Sequence, residues 1–265
     1  MKRRNTVGWL AASLIFAGLM LPQTAFADGW GHLTGRLVFD GDLPKLKLKV
    51  TKGDPTVRDP KCCAAQNVPD DSLVVNPKNK GIAHAFVYLK KVSKAQIHPE
   101  LVKSKKPTVK FDQKGCQFKP HAMVVRMDQR VVVLSDDPIP HNTHSFPILN
   151  KGENFIISGN DRVGVKMPAF VVKEPLPFEV RCDIHGWMSA RWLVVDHPYA
   201  TVTDADGKFK LENLPEGDLD VTIWHERVGY IKDPDGNRSF KVTISSNKTT
   251  PLDEILAPAK SFEDD

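Results

Sequence analysis

The sequence predicts an all-β protein built of packed β-sandwiches, and three observations carry that expectation. Short runs that alternate apolar and polar residues recur through most of the chain, which is the period at which a half-buried strand sends side chains to its two faces. Turn chemistry separates the runs, as at Gly41-Asp42-Leu43-Pro44 and Asp206-Gly207, the latter being a hairpin signal. No stretch combines a helical apolar period with caps, so helices are expected to add little to the core.

Taken in order, the chain opens with Met1-Lys2-Arg3-Arg4, an apolar run from Val7 to Leu21 and the small-residue site Ala25-Phe26-Ala27. That is the pattern of a secretory signal over residues 1–27, and its apolar run falls short of the roughly 20 residues a membrane span needs. The 238 residues that follow contain no second apolar span, so no membrane span is expected after signal cleavage. Residues 1–27 carry three basic groups and no acid, which lowers the formal charge from +5 to +2 and removes the main argument for a nucleic-acid partner.

Beyond the signal, "LTGRLVFDGDLP" and "IAHAFVYLKK" read as strands, and "HAMVVRMDQRVVVLSDD" as two strands about Asp128-Gln129. In "FEVRC", alternation puts Phe178, Val180 and Cys182 on one face. The C-terminal part continues with Phe209 and Leu211, Val221 and Ile223, and then Phe240, Val242 and Ile244 at inward parity. Residues 91–107 and 150–176, rich in Lys, Gly, Pro and Asn, are expected to be loops. Lysines in 45–52, 90–94 and 103–106 are expected to solvate loops and blunt edge strands.

Four cysteines in this length cannot build a disulfide scaffold, so packing must supply the core. If Cys182 serves a metal, Cys116 can pair with either Cys62 or Cys63, and one thiol is spare.

Cys182, His185 and Met188 stand three apart at a strand end, in "VRCDIHGWM". A soft thiolate, a borderline imidazole and a thioether favour copper over zinc, calcium or magnesium. A second histidine must come from elsewhere, and "SDDPIPHNTHSF" offers His141 after the strand "VVVLSDD". His141 is preferred to its rival His144 because Asn142 follows it, with a side chain able to bond across to the cysteine loop. His84, His121, His197 and the pair His225-Glu226 are expected to be structural.

The segments "CQFKPHAMVVRMDQRVVVLSDDPIPHN", "FEVRCDIHGWM" and "ARWLVV" together resemble the cupredoxins, with a loop spacing most like that of amicyanin. The resemblance covers roughly residues 107–196 and implies a Greek-key β-sandwich holding one mononuclear type-1 copper. His141, Cys182 and His185 would be its equatorial ligands and Met188 its weak axial one. Gly186 and Trp187 depart from the proline and aromatic residue of the amicyanin loop.

"TVTDADGKFKLENLPEGDLDVTIWHE" resembles the carboxypeptidase regulatory-like, transthyretin-like β-sandwich. The opening strands of that module, "GHLTGRLVFDG" and "GIAHAFVYLKK", stand upstream of the cupredoxin-like segment. The expected organisation is therefore a signal over 1–27, a discontinuous sandwich from 28–92 and 199–258, a cupredoxin domain with linker over 93–198, and a tail over 259–265. The whole chain resembles exported bacterial cupredoxin-like proteins of the methylamine-utilisation type. The resemblance implies a blue copper protein of the periplasm or cell surface that transfers single electrons with a redox protein partner such as a c-type cytochrome. A copper carrier or storage protein and a metal-free binding or scaffold sandwich are the rival classes. No Ser-His-Asp order, catalytic carboxylate pair or phosphate loop is evident, so an enzyme is not expected.

Overall fold

The computed structural model describes residues 29–45 and 47–262, so the secretory signal expected over 1–27 lies outside the described residues. The described chain is all-β, and its longest α-helix is the single turn Pro60–Cys63.

Apart from the short pair Leu48–Val50 and Val68–Pro69, the described strands form two sandwiches. In the outer one, Trp30–Asp40 lies between Lys208–Pro215 (antiparallel) and Thr249–Pro258 (parallel). The facing sheet places Ala200–Val202, Phe86–Leu89 and Gly217–His225 side by side, with Gly229–Ile231 and Phe240–Ile244 both paired to the last of these. Leu33, Leu37, Val87, Leu89, Phe209, Val221, Ile223 and Val242 fill the space between the two sheets. The Asp206-Gly207 turn needs its glycine, because φ there is +74° and an added Cβ would meet the Leu37 carbonyl oxygen.

In the inner sandwich, one sheet runs Asn154–Ile157, His141–Ser145, Phe178–Arg181, Ser189–Val195 and Ala122–Arg126. Its partner sheet runs Val165–Lys166, Arg130–Val133, Thr108–Gln113 and Phe118–Lys119. Phe111, Phe118, Val131, Phe178, Val180 and Trp192 pack between them, with Phe111 and Trp192 meeting edge to face at 4.7 Å between ring centroids.

The two sandwiches share a wall. Val87 and Leu89 enter the outer core, while Phe86 and Tyr88 of the same strand face Ala122, Leu193 and Val195 of the inner sandwich. Burial on both faces explains why "FVYL" is continuously apolar where other strands alternate. Ser189–Val195 behaves the same way, sending Trp192 and Val194 into the inner core and Leu193 and Val195 into the shared layer.

Residues 150–176 are not wholly loop: Asn154–Ile157 and Val165–Lys166 pair at sheet edges. Their pattern is poor because Ile156 is exposed and only Ile157 of the first strand is fully buried. Residues 91–107 hold two 3₁₀ turns, Lys94–Gln96 and Pro99–Leu101. No helix among the described residues is long and apolar enough to cross a membrane.

Two expected outcomes follow. Lys103 and Lys105 are exposed in the connection between the sandwiches, so trypsin should cut there first. Because Trp30–Asp40 is hydrogen-bonded on both sides by C-terminal strands, the cut pieces should co-elute in native size-exclusion chromatography. Release of a folded 28–92 fragment would contradict this.

His197 is buried and neutral by construction, its Nε2–H donating to the Leu89 carbonyl (2.8 Å) while Nδ1 accepts from the Tyr199 amide (3.1 Å). Burial lowers its pKa to about 4. Between about pH 6.5 and 4 the unfolded chain therefore holds a proton that the folded chain refuses, and stability falls as pH drops through that window, by about 3 kcal/mol at most. Urea unfolding midpoints across this range should show a shallower slope in His197→Gln, whose amide keeps both bonds without titrating.

Candidate metal centre

Cys182 follows the strand Phe178–Arg181 directly, and strand parity turns it inward beneath Val180. Residues 182–188 then form a tight loop into Ser189–Val195. The Cys182 amide donates to the Met188 carbonyl (3.1 Å), the Met188 amide to the His185 carbonyl (2.9 Å) and the His185 amide to the Cys182 sulfur (3.4 Å). These bonds close the loop tightly on itself, and Cys182, His185 and Met188 are all buried within it. Trp187 steadies the loop from outside, donating from Nε1 to the Cys116 carbonyl (3.2 Å).

His141 begins the strand His141–Ser145 and is fully buried. Its Nδ1 lies 2.9 Å from Nδ1 of His185, whose own Nδ1 is 3.9 Å from the Cys182 sulfur. Donor atoms of His141, Cys182 and His185 all fall within 4.8 Å of one another. Each imidazole is backed by a carboxylate: His141 Nε2 bonds Asp137 Oδ2 and His185 Nε2 bonds Asp59 Oδ2, both at 2.9 Å. A carboxylate on Nε2–H fixes the tautomer and leaves Nδ1 as the inward donor, which is how proteins prepare imidazole for a metal. The residues present therefore fit a soft or borderline ion such as copper.

Both carboxylates are themselves held. Asp137 also accepts from the amides of Gly115 (2.6 Å) and Cys116 (2.9 Å). Asp59 is the N-cap residue of Pro60–Cys63, yet its side chain makes no cap bond and reaches His185 instead.

His144 does not join the cluster. Three positions along a strand from His141, it lies on the opposite face and bonds Asp183 Oδ2 at 2.8 Å. Asn142 shares that outer parity, and its Oδ1 accepts from the amides of Asp183 (2.7 Å) and Ile184 (3.3 Å) and from the Cys182 thiol (3.2 Å). Asp183 also takes Asn154 and Arg181, so the outer side of the loop is clamped by four polar side chains.

Burial alone would push the Cys182 thiol up and the His141 imidazolium down. Hydrogen bonds win in both cases. For Cys182, His141 and His185 hold the sulfur's pKa at about 6, and for His141, Asp137 and the Cys182 sulfur raise the ring to about 9. Near neutral pH the metal-free centre is thus a thiolate beside a protonated imidazole. The proton on His141 Nδ1 is the one shared with His185 Nδ1, where an ion would sit, so metal entry releases it.

Among the other histidines, His84 and His121 serve the wall between the sandwiches. His121 Nε2 bonds Glu226, which also accepts from Arg191 Nε (3.1 Å), and the His84 ring lies 5.0 Å from that of His121. His225 is buried and held neutral by burial, which lowers its pKa to about 4. Asp59 and Asp137 escaped the sequence reading: an Asp four residues before a histidine is a weak signal, and Asp59 is 126 residues from His185.

No family model matches the chain, and no curated protein matches it. Among solved structures it is similar to an amicyanin mutant in its Cu(I) form, at TM-score 0.29 and 12% identity over 35% of this chain and 86% of that one. It is also similar to a purple cupredoxin from Nitrosopumilus maritimus, at TM-score 0.26 and 16% identity over 32% of this chain and 98% of that one. A copper-containing nitrite reductase from Thermus scotoductus SA-01 matches at TM-score 0.27 and 16% identity, over 33% of this chain and 22% of that chain.

Asp137→Asn keeps the shape of the side chain while removing its charge. In the metal-free protein the His141 ring should then titrate below its present value of about 9 by more than one unit, read from its imidazole resonances by NMR. An unchanged titration would show that Asp137 does not hold that proton.

Proposed function

We propose that the protein is an exported blue copper protein that carries single electrons, with one mononuclear copper held by His141, Cys182 and His185 and, more weakly, by Met188. The observation that carries this reading is the buried convergence of two Nδ1 atoms and one thiol, each imidazole fixed from behind by its own carboxylate. Copper bound by this donor set supplies a one-electron couple that works without ligand exchange.

The chain's own residues do the rest. Asp137 and Asp59 hold the two imidazoles at fixed angles, Asn142 holds the cysteine loop through Asp183 and Ile184, and Trp187 pins its outer side. All four proposed ligands are buried, so water and small-molecule substrates are kept from the centre. That arrangement suits electron transfer better than exchangeable copper storage, and it offers no open position for catalysis, so we read the protein as a carrier and not an enzyme. His185 is the ligand nearest the surface through a bonded neighbour, since the Asp59 side chain is 41% exposed. In this reading residues 1–27 direct export, the outer sandwich is a scaffold, and the electron partner is an exported redox protein such as a c-type cytochrome.

Loading the protein with Cu(II) should produce an intense thiolate-to-copper absorption band and a type-1 electron paramagnetic resonance signal, both lost in Cys182→Ser. A folded, colourless protein from which Cu(II) washes off would overturn the reading. Retention of Cu(I) against a chelating competitor separates a carrier of electrons from a carrier of copper.

A further inference from the structure

The proposed centre uses one cysteine, and the other three lie together. The sulfur atoms of Cys62, Cys63 and Cys116 are all within 4.8 Å of one another. Cys63 and Cys116 form a disulfide. Cys62 is a free, partly exposed thiol whose sulfur is 3.9 Å from that of Cys116. The local chain produces this grouping: Asp59 takes a left-handed conformation (φ 53°), and the single helical turn Pro60–Cys63 presents two adjacent cysteines to the Gly115-Cys116 bend.

A crosslink between 51–67 and the inner sandwich needs two cysteines. The third adds nothing to it and exposes it to thiol exchange. Three thiolates bonded to one ion at about 2.3 Å stand about 4 Å apart, close to the separation already present between Cys62 and Cys116. Three sulfurs with no fourth donor suit monovalent copper, since structural zinc takes four ligands. Asp137, the nearest carboxylate, is committed to His141, Gly115 and Cys116.

We propose that opening the Cys63–Cys116 disulfide turns Cys62, Cys63 and Cys116 into a second metal site, a three-thiolate site for Cu(I). It stands one carboxylate away from the buried centre, for a Cys116 sulfur, an Asp137 oxygen and a His141 nitrogen also lie within 4.8 Å of one another. Opening requires a dithiol reductant. The S–S bond breaks, two electrons and two protons pass from the dithiol to the sulfurs of Cys63 and Cys116, and the dithiol leaves as its own disulfide. Cu(I) entry then displaces the three thiol protons to solvent and leaves the oxidation state of copper unchanged. With the disulfide closed only one thiol is left, and the site does not form.

The site is tested in Cys182→Ser, where the first centre is disabled, by anaerobic titration with the acetonitrile complex of Cu(I) against bicinchoninate. The reduced protein should take up one equivalent that the disulfide form does not, with X-ray absorption showing three sulfur neighbours. Adding Cys62→Ser, which leaves the disulfide partners in place and can be checked for folding in its oxidised form, should weaken binding at least tenfold and lower the sulfur count to two. Equal uptake before and after reduction, or unchanged affinity and sulfur count in Cys62→Ser, would overturn the proposal. Because the titration is done without Cys182, failure of the blue copper reading would leave this result as it stands.

Discussion

The strand Ser189–Val195 has no free face: Trp192 and Val194 are locked in one core while Leu193 and Val195 are locked in another. A strand buried on both sides cannot slip register by one residue without driving every side chain into the wrong layer. Its antiparallel partner Phe178–Arg181 is fixed by the same pairing, and the loop between them inherits that rigidity at both ends. Cys182, His185 and Met188 thus hang from two anchored strands, and His141 arrives on a third strand of the same sheet. The donors are arranged by packing at a distance before any of their own hydrogen bonds are counted.

Electrostatics completes what packing begins. A thiol and two imidazoles crowded together away from water would ordinarily all lose their charge. Asp137 reverses this for His141, and the His141 and His185 rings reverse it for the Cys182 sulfur, while His141 and the amides of Cys116 and Gly115 keep Asp137 ionised, holding its pKa below the usual carboxylate range against the opposing pull of burial. A pair of protonated nitrogens facing one another is thereby avoided, since the one shared proton between His141 and His185 is enough to satisfy both. The centre is a set of compensated charges in which each imidazole has a carboxylate behind it and the sulfur accepts from the His185 amide.

Much of this was legible in the chain. The parity of Phe178, Val180 and Cys182, the Asp206-Gly207 turn and the inward series through Phe209, Val221 and Val242 depend only on local periodicity, and the structure has them buried or at turns as that periodicity requires. Parity also bears on His141 and His144, which sit on opposite faces and bond different acids. What local pattern could not convey depends on partners distant in sequence. The choice of Cys63 over Cys62 as the partner of Cys116 turns on a single helical turn whose direction is set by Asp59. Asn154–Ile157 is a strand because His141–Ser145 offers it an edge, not because its residues alternate.

The outer sandwich sets a timetable for the chain. Apart from a bridge between Val38 and Gly81, Trp30–Asp40 takes its partners from strands that begin at Lys208 and Thr249, so as the polypeptide grows most of this strand must wait for nearly the last. Every strand of the inner sandwich falls within 108–195, and that unit can close while the C-terminal strands are still to come. Once closed it draws Phe86–Leu89 and Ala200–Val202 toward the same wall, so the long loop between them is already shortened when the outer strands meet. The metal-centre half of the molecule is in this sense the template on which the two ends of the chain are finally joined.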